Sequence, residues 1–147
     1  MNHEDYIKEA MKEAELAYTK GNAPFGVIVV DSKSNKIIWR DHDRVKELLD
    51  PTAHGEVNAV RALCKKNKTL SLHGLVFYTT SEPCATCLSS LVKAKVSSVY
   101  YGADTELTAS LPIKAKELAK YATKNPIFVV GGILQDETLK QRKRLSK

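Results

Sequence analysis

The chain has 147 residues, 43% hydrophobic and 27% charged with a net charge of +6, a balance that suits one globular domain with a real core. It holds no run near the ~20 apolar residues of a bilayer span, and its start, MNHEDYIKEAMKEAELAY, lacks the apolar block of a signal peptide, so a cytoplasmic protein without a membrane segment is expected. Three cysteines are too few for a disulfide framework and are expected as thiols, in the core or on a metal.

Residues 4–19 place Ile7, Ala10, Met11, Ala14, Ala17 and Tyr18 at helical spacing, which predicts an amphipathic helix. KGNAP ends it, and FGVIVVD reads as a short buried strand. After the turn SKSNK, IIWRDHD is expected to pair with that strand. VKELLDPT reads as a polar loop, since Pro51 biases Asp50 away from helix. From His54 the period changes, and Val57, Val60, Leu63 and Cys64 form one helical stripe. LVFYTT, residues 75–80, predicts a third strand. EPCATCLSSLVKAK predicts a helix opening at Pro83, with Leu88, Leu91 and Val92 as its apolar face. SSVYYGA is a fourth strand, IKAKELAKYATK a helix, IFVV a fifth strand and DETLKQRKRLSK a closing helix. Much of the positive charge lies in LKQRKRLSK, where a solvated basic tail is the plainer reading and contact with RNA the alternative. Strands alternating with helices imply an α/β layered sheet in a single domain over 1–147.

Two stretches carry chemistry: PTAHGEVNAV and SEPCATC. Cys84 and Cys87, three apart at a helix start, send both sulfurs to one side, where unpaired amides and the helix dipole favour thiolates. A Cys-x-x-Cys pair alone also suits redox chemistry; a zinc site needs further ligands, and His54 can supply one. His54 and Glu56 lie roughly 200° apart around a helix, so they cannot share its flank but can both approach a site off its end. One Zn²⁺ with two thiolates and a neutral imidazole is charge-neutral and keeps one tetrahedral position for water, with Glu56 as the base beside it. A structural zinc site in a non-catalytic binding module needs a fourth protein ligand instead, and His42, His73 and Cys64 are the candidates.

His-x-Glu followed by Pro-Cys-x-x-Cys, here HGE at 54–56 and PCATC at 83–87, resembles the signature of the cytidine deaminase-like superfamily. The chain is most similar to the branch of bacterial guanine deaminases and tRNA wobble-adenosine deaminases. PFGVIVV resembles that branch's first strand, DPTAHGEVNAV its zinc helix, TSEPCATC its cysteine helix and GGILQDE the opening of its last helix. The resemblance implies a three-layer α/β/α domain around a five-stranded mixed sheet, a homodimer, and one Zn²⁺ per chain on His54, Cys84 and Cys87. It implies that Glu56 takes a proton from the zinc-bound water and passes protons to a ring nitrogen and the leaving amine, releasing ammonia. Phe25, in PFG, is implied as a stacking wall for the base; plain strand core is its other reading.

One position departs from the pattern: where this branch has a base-binding asparagine before the zinc histidine, this chain has Asp43. An ionised aspartate only accepts hydrogen bonds, so Asp43 favours a substrate edge rich in N–H groups, unless it is merely a loop acid or a partner of Arg44. PFG leans towards a guanine deaminase-like enzyme acting on a free base. The tRNA enzymes commonly have a Gly-Ala-Gly-Ser-like loop where this chain has ELTASLP, and aromatics in the last helix where it has none. The expected substrate is therefore a small amino-substituted nucleobase or nucleoside. Wobble adenosine in tRNA, an aminopyrimidine or an aminotriazine are the alternatives. Cys64 is expected in packing, Trp39 in the core or at a dimer surface, and His3 and His73 without partners. His42 should point away from Asp43 along its strand.

Overall fold

Alternation along one strand organises the molecule. β1 (Gly26–Asp31) sends Val27 and Val29 into one apolar cluster and Ile28 and Val30 into another, all four buried. A strand apolar on both faces demands cover on both. The computed structural model describes residues 1–105 and 111–146. In it β1 pairs antiparallel with β2 (Lys36–His42) and β3 (Leu75–Ser81), and β4 (Ser98–Ala103) and β5 (Phe128–Val130) follow in parallel. The sheet order is β2-β1-β3-β4-β5.

Helix α1 (His3–Thr19) crosses one face and packs beside α6 (Gln135–Leu145). The other face carries α3 (Gly55–Asn67), α4 (Ala85–Lys93) and α5 (Ala115–Ala119). This is the three-layer α/β/α arrangement. Gly26 permits the closest approach of α1 to the sheet: a Cβ there would lie 2.0 Å from the Ala10 carbonyl oxygen and 2.6 Å from the Ala14 nitrogen.

Several local expectations are corrected. VKELL is not loop throughout, since Val45–Leu48 form α2, a four-residue helix. Polar contacts hold it: Arg44 bridges Asp41 and Glu47, and the Asn22 side chain bonds both the backbone and the carboxylate of Glu47. The helix expected over 113–124 shortens to Ala115–Ala119, where Ala115 is buried and Leu118 and Ala119 pack partly buried against the core. The α1 stripe is rotated from the expected one, because Tyr6 and Glu13 are buried while Tyr18 is exposed.

Pro83 lies outside α4, whose N-cap is Cys84. His3 has partners: it opens α1, its Nδ1 lies 2.7 Å from the Tyr78 hydroxyl, and its ring stacks on Tyr100. The closing helix expected over DETLKQRKRLSK runs up to Leu145, with Lys140, Lys143 and Arg144 exposed on it, Gln141 and Leu145 buried and Arg144 paired to Glu15. Trp39 packs partly buried against the core, and its indole N–H donates to Asp41.

Candidate functional site

Strand register gathers the candidate residues. Gly26 pairs with His42, which sets Phe25 beside Asp43, and the Asp43 N–H donates to the Phe25 carbonyl at 3.0 Å. Val27 pairs with Thr79, which brings the end of β3, and then Glu82, Pro83 and Cys84, to the same edge. Helices α3 and α4 both begin there, with His54 and Cys84 as their N-caps. Both caps have the extended backbone usual at a helix start (ψ 154° and 173°), which sets the two side chains at the ends of their helices rather than on the flanks. Gly55 between His54 and Glu56 lets α3 start flush against the sheet: a Cβ there would lie 2.9 Å from Val27 Cγ1.

The result is a cavity of about 580 Å³ lined by Phe25, Asp43, His54, Glu56, Thr79, Thr80, Ser81, Glu82, Cys84, Thr105, Arg142, Lys143 and Ser146, with Gly26 and Gly55. At one wall His54 Nδ1 stands 3.6 Å from Cys84 Sγ and 3.3 Å from Cys87 Sγ. Zinc bonds of ordinary length at the tetrahedral angle would separate a nitrogen and a sulfur ligand by about 3.6 Å. The three donors therefore fit one Zn²⁺ with little rearrangement. Among the described residues no fourth His, Cys, Asp or Glu joins this group. Cys64 packs on the flank of α3, His73 is exposed before β3, and His42 is buried between Glu13 (2.9 Å) and Lys20 (3.4 Å). Glu56 is buried beside the group without belonging to it.

The electrostatics favour a cation. The Cys87 thiol bonded to Cys84 holds the Cys84 thiol down at about 4 against the pull of burial, and His54 assists. Its own bond to Cys84 lifts His54 to about 9, and Cys87 is pushed well above the ordinary thiol value by Cys84 and by burial. Before metal enters at neutral pH, the donors are thus a thiolate, an imidazolium and a thiol. Zinc takes neutral imidazole and thiolates, so loading must expel protons from His54 and Cys87. Calorimetry in buffers of different ionisation heat is expected to show about two protons released per zinc at neutral pH, with affinity rising about 100-fold per pH unit. Release of fewer than about one proton would contradict this description.

Burial raises Glu56, against the attraction of His54. Burial also raises Asp43, opposed first by the Val45 N–H, which its Oδ1 accepts at 3.1 Å. Arg44 turns instead to Asp41 and Glu47. Phe25 is half-buried at the cavity rather than in the strand core.

Sequence reasoning missed two groups of lining residues. Glu82 is buried and accepts from the N–H groups of Thr105 (3.0 Å) and Ala115 (2.7 Å) and from Lys114 Nζ (3.3 Å), joining the cysteine segment to the start of α5. Its place in SEPC was the available signal. Arg142, Lys143 and Ser146 come from the last turn of α6, and no local pattern announces that this helix end reaches across the sheet. In ELTASLP, residues 106–110 lie outside the described residues.

Comparison with known proteins agrees with the geometry. Residues 1–103 match the cytidine and deoxycytidylate deaminase zinc-binding region. The chain is 40% identical over 103 residues to a tRNA-specific adenosine deaminase of Aquifex aeolicus, covering 70% of this chain and 67% of that one. It is 37% identical over 105 residues to a guanine deaminase of Bacillus subtilis, covering 71% of this chain and 66% of that one. A solved structure from work on A-to-I editing by tRNA:A34 deaminases aligns with a TM-score of 0.82 at 26% identity, covering 93% of this chain and 98% of its own. With the match spanning the helices that carry His54, Cys84 and Cys87, the chain belongs to the cytidine and deoxycytidylate deaminase zinc-binding family and is a zinc-dependent deaminase.

Proposed function

We propose that the enzyme hydrolytically deaminates a small amino-substituted nucleobase or nucleoside, a guanine-like free base foremost, with Glu56 as its acid–base and Asp43 and Phe25 holding the ring. The observation that carries this reading is one cavity lined by Asp43, Phe25 and Glu56 together with His54 and Cys84 of the three-donor group. Zinc, when bound there, supplies Lewis acidity that makes water ionise near neutral pH.

The chain's own residues do the rest. A buried carboxyl group such as Glu56, raised from its ordinary value, both takes a proton and gives it back within a turnover. It accepts from the attacking water, then serves a ring nitrogen and the departing amine, so that ammonia leaves. Phe25 presents a ring to a planar heterocycle. Asp43 accepts N–H groups and cannot donate while ionised, which selects the substrate edge. Guanine, aminopyrimidines and aminotriazines each offer such an edge.

Ammonia release measured across guanine, adenine, cytosine, their nucleosides and aminotriazines tests the reading. Asp43→Asn is expected to shift relative kcat/KM by about 10- to 100-fold towards bases that present an acceptor, the effect of one charged hydrogen bond. An unchanged ranking would remove Asp43 from recognition.

A second reading, wobble-adenosine deamination in tRNA, is favoured by the relatives of that activity and by Arg142 and Lys143 at the cavity. It requires inosine formation in an anticodon stem-loop and binding that weakens steeply with salt. Our reading also takes the enzyme as a single domain over 1–147, a cytoplasmic homodimer. No helix among the described residues is long and apolar enough to cross a membrane.

A further inference from the structure

Arg142 joins three walls of the cavity. Its Nη2 donates to Ser81 Oγ at 2.9 Å, at the end of β3, and its Nη1 donates to the Asp104 carbonyl at 3.1 Å, just past β4. Its guanidinium carbon lies 5.7 Å from the centroid of the Phe25 ring, which enters from the loop before β1. The helix end bearing Arg142 is itself anchored. Gln141 donates to the Met11 carbonyl and to Glu15, both at 2.9 Å, and Leu145 is buried. A planar guanidinium held by two hydrogen bonds is a stiff platform, and cations rest favourably on aromatic faces.

Phe25 needs such a platform. It is half-buried and stands outside both core clusters, yet its carbonyl holds the Asp43 N–H. An unpinned ring there would exchange rotamers and lose freedom only when a substrate arrived, which weakens binding.

We propose that Arg142 is a positioning residue: it pins the Phe25 ring so that the slot for a planar heterocycle exists before substrate enters. The proposal rests on the reading of Phe25 as the stacking wall. The partners of Arg142 among the described residues are Ser81, Asp104 and the Phe25 ring, which bind and shape rather than move protons, so its loss should weaken capture and spare the chemical step.

The test uses the zinc-loaded full chain with Arg142→Gln, Phe25→Leu and the double variant, assayed on the best substrate of the panel. Arg142→Gln is expected to raise KM about 10-fold with kcat within about threefold and zinc content unchanged. The double variant should be no worse than Phe25→Leu alone, because the arginine acts through the ring. Arg142→Lys, which keeps a cation but loses the fork, should fall between, and it replaces Arg142→Gln in the comparison if that variant does not fold. KM increases that multiply in the double variant would overturn the proposal, as would a fall in kcat at constant KM. If the wild type deaminates no panel member, the functional reading fails separately. The same cycle read as Tm then decides the pinning, which requires losses smaller than additive and is refuted by additive ones.

Discussion

Replacing Glu56 by alanine is expected to lower kcat by about a thousandfold and leave the zinc content unchanged. Positioned acid–base groups contribute about 10²- to 10⁴-fold, and this carboxyl group is buried at the cavity beside the donors. Because it stands outside the donor group, its removal leaves His54, Cys84 and Cys87 in place. Glu56→Gln sharpens the test, since it keeps the side chain's volume and one acceptor oxygen while removing the group that can take up and release a proton. Steady-state ammonia release with metal analysis of the same samples reads both quantities. Turnover within about tenfold of wild type would show that Glu56 does not move the proton.

Cys87→Ala should abolish turnover for a different reason, by emptying the metal site. Loss of a group that merely supports a ligand costs 10- to 100-fold in metal affinity, so loss of a ligand itself should cost at least about 100-fold. Cys87 is fully buried with its sulfur 3.3 Å from His54 Nδ1, where a small apolar packing role would be the other explanation. The two separate cleanly. A packing role predicts a lower Tm with zinc retained; a ligand role predicts purified protein depleted of zinc and a Tm that a chelator no longer lowers. Cys64→Ala is the control, since Cys64 packs on the flank of α3 and its loss should leave the metal untouched.

How much of this was legible in the sequence depended on how local the cause was. The strand FGVIVVD and the helix from Gly55 announce themselves because burial imposes a period on neighbouring residues. The three metal donors were legible because ligand chemistry restricts residue type and because two sit three positions apart. The short helix α2 was not legible, since polar bonds to Asn22 and Asp41 stabilise it rather than an apolar stripe. Neither was the start of α4 after Pro83, because cap geometry depends on where the chain arrives from β3.

The amino-acid sequence by itself determined the alternation of strands and helices, the metal chemistry and the acid at position 43. Each of these is written in residue type and short-range spacing. Only the tertiary structure decided that Phe25 and Asp43 share a wall, that Glu82 ties the cysteine segment to α5, and that Arg142 reaches Phe25 from the far end of the chain. The physical reason is register: setting Gly26 opposite His42 and Val27 opposite Thr79 decides which side chains meet, and pairings between distant segments leave no local trace.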